Sequence, residues 1–516
     1  MTRLRAVLVA AAAALLAGCG ISTSPVTVPA DFDQPLVIPP LAESHVEKDG
    51  TRVFQLAAQE GTIGILDEAR TRTWGFNGAY LGPTLRASRG EKVAVEVINA
   101  LPEATTVHWH GMHLPAAMDG GPHQLVEPGS TWRPTWKIDQ PAATLWYHPH
   151  PHGASEEHLY RGLAGMFILD DANPAAADLP NQYGVDDIPV IIQDKDIGSD
   201  GEQVLEDDGN EIGLLGSTIL VNGTIGPYQN VTTELVRLRL LNGSTARTYD
   251  FGFDDGRSFQ LVATDGGLRA TPHETDRVRL SPGERAEIVI KMSAGMTTML
   301  RSFPPNLGRV AAPFAFGGND SFDVLELRAA EKLAPSRQVP TRLTDERRID
   351  PATATVTRRF ELERREINGR RMDMNRIDDV VEVGTTEVWE VTNRNPYPHN
   401  FHVHDVQFEV LTIDGSPPPP ELAGRKDTVY LEPGRDYRLI MKFEDYADDA
   451  APYMYHCHLL LHEDEGLMGQ FVVVDDGAAA TRSRETVESQ HDHHRAGHDH
   501  GGRGLESDGS TKKPIS

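Results

Sequence analysis

The chain has 516 residues, and 49 Lys and Arg against 76 Asp and Glu give it a formal net charge of −27. This length predicts about three domains, and a hydrophobic content of 39% with 47 Gly and 35 Pro favours loop-rich globular domains over a disordered or membrane-spanning chain. The negative charge argues against nucleic-acid binding, because a phosphate backbone would be repelled. Two Cys accompany 21 His, which excludes a disulfide framework, so each Cys needs its own explanation.

The first Cys follows a predicted secretion signal. Two Arg precede an apolar run over residues 6–17 that is too short to span a bilayer. Small residues before Cys19 resemble a bacterial lipobox, although an ordinary signal peptide with an incidental Cys is the alternative. We therefore predict a signal peptide over 1–18, lipid attachment at Cys19 and a flexible tether over 19–44. The protein would then lie outside the cytoplasm and touch the membrane only through its lipid.

A strand pattern recurs along the chain at intervals of about one domain. Alternating polar and apolar residues end in Asn at each of three segments, 93–99, 235–242 and 387–393. A Pro-Gly turn follows each segment, at Pro128-Gly129, Pro282-Gly283 and Pro433-Gly434. Short strands punctuated by Gly and Pro predict an all-β chain of Greek-key barrels or sandwiches. We place the three domains at 45–172, 185–330 and 352–476, followed by a His-rich tail over 477–516 that we expect to be disordered. Unrelated β-domains with ordinary strand patterning are the alternative that these repeats leave open.

Histidine clusters follow the Asn-ended strand in the first and third repeats. These are His108-Trp109-His110 and His399-Asn400-Phe401-His402-Val403-His404. The corresponding stretch of the second repeat, 243–247, contains none. Two further clusters close the same domains, His148-Pro149-His150 and His456-Cys457-His458 with His462. Alternating residues of a strand share one face, so each His-x-His pair can present two imidazoles to neighbouring metal ions.

The chemistry of these residues points to copper. A single His-x-His is a weak signal, but four clusters in two of three repeats are difficult to explain as solvated faces. Imidazole suits Cu, Zn, Fe and Ni, whereas a thiolate with two His suits an electron-transfer copper. Zinc is the rival metal, although a closed structural zinc site needs about four ligands.

In this order, with His-Cys-His-x-x-x-His as the last block, the clusters resemble the copper signature of three-domain multicopper oxidases, the group of laccases, bilirubin oxidases and cuprous oxidases. The resemblance extends over most of the chain as far as Val474. It implies three cupredoxin-like domains, four copper ions, an electron donor and dioxygen as substrates, and a monomeric enzyme. Domain 2 would hold no copper.

The resemblance also implies a role for each matching residue. His399, Cys457 and His462 would bind the type 1 copper, and His108 and His402 the type 2 copper. One type 3 copper would take His110, His148 and His458, and the other His150, His404 and His456. Asp119 and Glu463 match the acidic residues that donate protons in the family.

Two departures from the family pattern bear on activity. Leu467 stands at the axial position of the type 1 copper, where it would not ligate, which predicts a relatively high reduction potential; a slip of one residue would bring Met468 there instead. Asn395 and Tyr397 precede the third cluster where cuprous oxidases carry acidic and Met residues. Phenolic or other aromatic donors are therefore the prediction, with a Cu(I) or Fe(II) oxidase in copper tolerance as one alternative. An extracytoplasmic copper-binding or electron-transfer protein is the alternative from another class.

The C-terminal tail carries a separate His-rich signal. His491, His493, His494, His498 and His500 lie in a Gly-, Ser- and charge-rich segment. Two interpretations of this tail remain: it captures copper outside the cytoplasm, or it is a polar tail with incidental metal affinity.

Overall fold

A computed structural model describes residues 32–65, 70–198, 200–205, 209–345 and 347–475. Strands dominate these residues and confirm the prediction of an all-β chain. The helices of the described part are short: α1 (Ser155–Arg161), α2 (Pro174–Asp178) and α3 (Leu460–Asp464). Single 3₁₀ turns lie at Ala116–Met118, Pro313–Phe316, Pro351–Thr353 and Pro420–Leu422. Among the described residues, no helix is of a length and apolar character that would let it cross a membrane.

Domain 1 is a pair of sheets formed by most of the strands up to residue 170. The strands of this part are β1 (Gln34–Pro35), β2 (Ser44–Val46), β3 (Arg52–Ile63), β4 (Thr71–Phe76), β5 (Leu85–Ser88), β6 (Lys92–Asn99), β7 (His108–His110), β8 (Thr131–Trp132), β9 (Thr135–Lys137), β10 (Ala143–His148) and β11 (Gly165–Asp170). One sheet has the order β2-β3-β6-β8 with β4 and β9 at its sides, and the other the order β5-β11-β10-β7. Between them lies an apolar core that includes Trp109, Trp136 and Phe167.

Domain 2 is a second pair of sheets. Its strands are β12 (Asp187–Lys195), β13 (Thr218–Val221), β14 (Thr224–Ile225), β15 (Pro227–Thr233), β16 (Leu235–Asn242), β17 (Tyr249–Phe253), β18 (Phe259–Thr264), β19 (Gly267–Thr275), β20 (Val278–Leu280), β21 (Arg285–Lys291), β22 (Thr297–Phe303) and β23 (Phe322–Ala334). The sheet orders are β1-β15-β23-β22-β17-β20 and β14-β13-β12-β16-β21-β18-β19.

Domain 3 is the third pair of sheets. Its strands are β24 (Val356–Glu363), β25 (Glu366–Ile367), β26 (Asp379–Glu382), β27 (Thr386–Asn393), β28 (His399–Val403), β29 (Phe408–Ile413), β30 (Thr428–Leu431), β31 (Asp436–Lys442), β32 (Asp448–His456) and β33 (Met468–Val474). They form the orders β25-β24-β27-β31-β29 and β26-β33-β32-β28-β30.

The sequence repeat corresponds to a repeated piece of structure. The three Asn-ended strands, β6, β16 and β27, each pair in parallel with an early strand of the same domain, β3, β12 and β24. Each terminal Asn, at 99, 242 and 393, accepts through its backbone carbonyl from the Gly of the Pro-Gly turn, and through its side chain from an N–H two residues on. Because local bonding and strand pairing both recur, the three domains share one plan.

The N-terminal segment differs from the predicted tether. β1 pairs in parallel with β15 of domain 2, and Leu36 is buried in the core of that domain. The tether prediction over 19–44 is therefore wrong for residues 32–44, since an apolar side chain and strand bonding hold this stretch to the surface of the fold. The predicted signal peptide and Cys19 lie outside the described residues.

Lys195, at the end of β12, is buried between domains 1 and 2. Its ammonium donates to the carbonyl of Tyr160 at 2.5 Å and lies 3.9 Å from the centroid of that ring. Burial lowers the pKa of Lys195 from its ordinary 10.5 to about 7, since one carbonyl and one ring replace little of the lost hydration. The charged form is therefore disfavoured in the folded chain.

This depressed pKa predicts a stability that rises with pH. Between the folded pKa of about 7 and the unfolded 10.5, the unfolded chain binds one more proton at Lys195, so the free energy of unfolding gains up to about 1.4 kcal/mol per pH unit. Urea unfolding at several pH values between 7 and 10.5 should show that slope in the wild type and its loss in Lys195→Met. Lys137→Met, at an exposed lysine, should keep the slope; an unchanged slope in Lys195→Met would contradict the assignment.

Candidate metal centres

Strand pairing brings the histidines of domains 1 and 3 into register. β7 pairs with β10 so that His108 lies opposite His148, and β28 pairs with β32 so that His402 lies opposite His456. The two strand pairs meet where the domains face each other, and the His110 and His402 rings stack there with centroids 3.7 Å apart. Residues far apart in the chain thus share one buried space.

Eight of the predicted ligands form one group, which we call the eight-histidine cluster: His108, His110, His148, His150, His402, His404, His456 and His458. All eight are buried. The Nε2 atoms of His150 and His404 each lie 3.2 Å from Nε2 of His456.

A second triad of ring nitrogens converges within the same cluster. His148 Nε2 lies 3.3 Å from His110 Nδ1 and 3.4 Å from His458 Nε2. Both triads combine residues of domains 1 and 3, as the sequence analysis expects for the two type 3 positions. Nitrogen atoms at these separations can share a cation between them.

The remaining two histidines carry unpaired lone pairs. His108 Nδ1 donates to the carbonyl of Asp119 at 3.0 Å, and His402 Nδ1 donates to the carbonyl of Asp427 at 2.9 Å. Each ring is thereby fixed with its proton on Nδ1, while Nε2 is buried and has no hydrogen-bond partner among the described residues. A buried acceptor without a partner is costly unless a cation binds it, so these atoms fit a metal.

His399, Cys457 and His462 form a second group, the Cys457 cluster. Cys457 Sγ lies 3.2 Å from His399 Nδ1 and 3.5 Å from His462 Nδ1, and those two nitrogens are 3.0 Å apart. His462 Nε2 donates to the carbonyl of Glu211 at 2.6 Å, which leaves Nδ1 free to coordinate. Burial raises the pKa of the Cys457 thiol to about 12, so a thiolate here needs a cation beside it.

Most of the imidazoles in the two groups have a lowered pKa. Burial and neighbouring rings lower the pKa of His402 and His404 well below the ordinary value, and burial lowers that of His462 to about 3. These rings therefore stay unprotonated and able to coordinate. Imidazoles with one thiol suit copper better than the oxygen-preferring ions, and the residues present fit that metal.

Both predicted acidic residues lie against the eight-histidine cluster. Asp119 accepts from His404 Nδ1 at 2.6 Å. Glu463 lies 3.0 Å from His150 Nδ1 and 3.2 Å from His456 Nδ1. Although burial opposes it, these two rings hold the pKa of Glu463 well below its ordinary value.

Several residues that contact the two clusters are not predicted from the sequence. Asn400 accepts from the backbone N–H of His458 at 2.6 Å and donates to the carbonyl of Pro282 in domain 2 at 2.9 Å. Arg285 of domain 2 and Asp427 lie beside His110. The Pro282-Gly283 motif predicts the turn, but nothing in the sequence indicates that this turn reaches the histidines.

The position of Leu467 supports its placement near the Cys457 cluster. Leu467 is buried in the same apolar core cluster as Cys457, and its carbonyl accepts from the Cys457 N–H at 3.2 Å. Met468 lies outside that core cluster and lines a neighbouring pocket with Arg376 and Tyr455. The predicted tail beyond residue 476 lies outside the described residues.

Comparisons with known proteins agree with this geometry. Models of the multicopper oxidase family match residues 57–174, 201–299 and 339–477. A multicopper oxidase of Staphylococcus haemolyticus is 34% identical over 447 residues, which cover 85% of this chain and 92% of that protein. A cell division protein FtsP of Dickeya dadantii is 36% identical over 457 residues, covering 87% and 94%.

A solved structure of a multicopper oxidase shares the fold of this chain. The laccase-like multicopper oxidase CueO of Ochrobactrum sp. superimposes with a TM-score of 0.78 at 34% identity, covering 85% of this chain and all of that one. That protein is described as having oxidase activity towards lignin model compounds and lignosulfonate. The match confirms the predicted cupredoxin-like fold.

Replacing Leu467 by Met tests the axial position. A thioether placed near the metal would donate to it weakly and lower its reduction potential. Redox titration of the blue absorption in Leu467→Met should give a lower midpoint than in the wild type. Met468→Leu serves as the control and should keep the wild-type midpoint; the reverse result would place Met468 at the axial position.

Proposed function

Since the chain belongs to the multicopper oxidase family, we propose that it is a laccase-type oxidase that takes single electrons from phenolic or similar aromatic donors and reduces dioxygen to water. The observation that carries this proposal is the joining of two groups of ligands by one covalent segment. Cys457 lies between His456 and His458, so the Cys457 cluster and the eight-histidine cluster share a tripeptide.

Four copper ions are the proposed complement. His399, Cys457 and His462 would hold the type 1 ion, and His108 and His402 the type 2 ion. The type 3 pair would take the two triads, His110, His148 and His458 together with His150, His404 and His456. Bound copper would supply the one-electron chemistry and the reduction of dioxygen. The protein's part is to keep the imidazoles neutral, fix their tautomers and exclude bulk water.

Asp119 and Glu463 are the proposed carriers of protons into the eight-histidine cluster. Both carboxyl groups are buried and face ligand imidazoles. A buried carboxylate within hydrogen-bond distance of these rings can relay a proton towards the site without admitting bulk water. Other buried acids, such as Asp427, are engaged by arginine instead.

A pocket beside the Cys457 cluster is the proposed donor site. It has a volume of about 500 Å³ and is lined by Glu211, Arg365, Asn395, Tyr397 and neighbouring residues. Because His462 Nε2 bonds to the carbonyl of Glu211, a donor in this pocket would be one peptide group away from a ligand. The half-buried Tyr397 ring offers an aromatic donor a surface to stack on.

The charges of this pocket give a metal ion no preference over an aromatic donor. Its lining includes three arginines, Arg364, Arg365 and Arg394, and three glutamates, Glu211, Glu363 and Glu465. Arg365 pairs with both Glu211 and Glu465. A Cu(I) or Fe(II) ion would therefore meet as many guanidinium groups as carboxylates, whereas the Tyr397 ring offers an aromatic donor a surface to stack on. The reported activity of the Ochrobactrum protein on lignin compounds supports the same donor class.

The alternatives predict different behaviour. A metal oxidase would prefer Cu(I) or Fe(II) to phenols, and an electron carrier would bind copper without consuming oxygen. A carrier would need only the Cys457 cluster, so the eight additional histidines argue against it. We propose an extracytoplasmic location, with the lipid anchor at Cys19 still a prediction.

Oxygen uptake by the copper-loaded full chain tests the proposal. We expect an intensely blue protein that consumes oxygen faster with a phenolic donor than with Cu(I) or Fe(II). Cys457→Ser should lose the blue colour and the oxygen uptake while keeping the wild-type far-ultraviolet circular dichroism. A colourless wild type, or one without oxygen uptake at full copper loading, would overturn the oxidase assignment; faster uptake with a metal ion would favour the metal oxidase.

The donor pocket yields a separate prediction. Tyr397→Leu removes the stacking surface, which should raise KM for a phenolic donor about two- to tenfold and leave KM for dioxygen unchanged. Tyr228→Leu, at a half-buried tyrosine of domain 2 far along the chain from the cluster, is the matched control. Equal KM values for both variants would place the donor elsewhere.

A further inference from the structure

Domain 2 carries none of the proposed ligands, yet one of its turns lies against the eight-histidine cluster. Gly283 has φ of +84°, and a Cβ atom there would lie 3.2 Å from ring atoms of both His110 and His458. The turn over residues 281–285 therefore packs directly on two rings, and any bulk added at Gly283 would press on them. At its end stands Arg285, which begins β21 and is fully buried.

Arg285 uses all five of its N–H donors to connect the three domains. Nε donates to the carbonyl of Thr144 in domain 1 at 2.9 Å. Nη1 and Nη2 donate to the carbonyls of Gly283 and Asp265 in domain 2, each at 3.0 Å. The two remaining hydrogens form a fork on Asp427 of domain 3, at 2.6 Å to each carboxylate oxygen. Such bidentate bonds fix both the position and the rotation of a carboxylate.

Asp427 in turn holds His110. Its Oδ1 accepts from Nε2 of His110 at 3.0 Å and from the hydroxyl of Thr428 at 3.0 Å. Gly111 makes this approach possible, because a Cβ atom there would lie 2.5 Å from Asp427 Oδ2 and 2.7 Å from Arg285 Nη2.

His110 also differs from other members of the cluster in the nitrogen that it presents. The rings of His108, His148, His402, His404 and His456 are held at Nδ1 by carbonyl or carboxylate oxygens. His110 is held at Nε2, and its Nδ1 faces His148. A neutral imidazole has one N–H, so an acceptor at Nε2 is what leaves the Nδ1 lone pair free.

We propose that Arg285 is a positioning residue for the eight-histidine cluster. Its bidentate hydrogen bonds hold Asp427 in place, and Asp427 in turn fixes the tautomer and orientation in which His110 presents Nδ1. The proposal rests on the proposed function, since it concerns copper bound by that cluster. Domain 2, which carries none of the proposed ligands, would thereby orient Asp427, the acceptor of domain 3 that binds His110 of domain 1. Groups that orient a ligand imidazole from behind typically change metal affinity about 10- to 100-fold when they are altered.

Arg285→Lys is the test variant, and Arg239→Lys is its matched control. Lysine keeps the charge but cannot form the fork. Arg239 is likewise a buried arginine of domain 2 that contacts Thr144 and two carboxylates, Asp187 and Glu287. Arg239 forms its bidentate bonds with Asp187 and contacts none of the proposed ligands, so Arg239→Lys measures the purely structural cost of losing such bonds.

The measurements are copper content per chain, release of copper to a chelator, and blue absorption as a reference for the Cys457 cluster. We expect Arg285→Lys to lose copper from the eight-histidine cluster about 10- to 100-fold faster than the wild type, with the blue absorption per chain retained. Arg239→Lys should lower only the unfolding midpoint. Equal copper release by the two variants would overturn the proposal.

A double-mutant cycle tests whether Arg285 acts through Asp427. In the Asp427→Asn background the acceptor beside Nε2 is already altered, so adding Arg285→Lys should change copper release little further. Additive effects would overturn the proposed route. If Arg285→Lys does not fold, Asp427→Asn alone must show selective loss of cluster copper, and full retention there would be decisive against the proposal. A wild type that takes up no copper would contradict the proposed function, whereas failure confined to the variants contradicts only this inference.

Discussion

The structure depends on keeping neutral imidazoles buried with one nitrogen of each ring aimed inward. Burial disfavours the protonated form, and backbone carbonyls or carboxylates take up the remaining N–H of rings such as His108, His402 and His404. This arrangement costs free energy in the absence of a metal, because several lone pairs converge without partners. The surrounding β-sandwiches are the rigid frame that holds the rings in place.

The frame works because the ligands stand on paired strands. His108 opposite His148 and His402 opposite His456 are fixed by hydrogen-bonded register, so neither pair depends on loop conformation. Each domain alone assembles half of the eight-histidine cluster. Domains 1 and 3 must therefore be packed face to face before both triads are complete, and contacts such as Asp464 on the first N–H groups of α1 help to join them.

Domain 2 shows how a copy of the same plan can contribute to the eight-histidine cluster without supplying any of its histidines. It has the same Asn-ended strand and Pro-Gly turn as domains 1 and 3 but lacks their histidine clusters. The turn now contributes packing against His110 and His458, a carbonyl for Asn400 and the guanidinium of Arg285. The donor pocket likewise takes Glu211 from the domain 2 part of the chain.

The sequence by itself determined the all-β class, the threefold repeat and the ten histidines and one cysteine that converge in the structure. These are local properties: alternation along a strand sets which imidazoles share a face, and Cys457 is bonded covalently to its neighbours. Only the tertiary structure decided that Asp427 faces His110, 317 residues away, that Arg285 holds Asp427 in place, and that Gln34–Pro35 pairs with a strand of domain 2. Such contacts depend on how separate domains pack against each other, which the periodicity or residue spacing within one segment cannot predict.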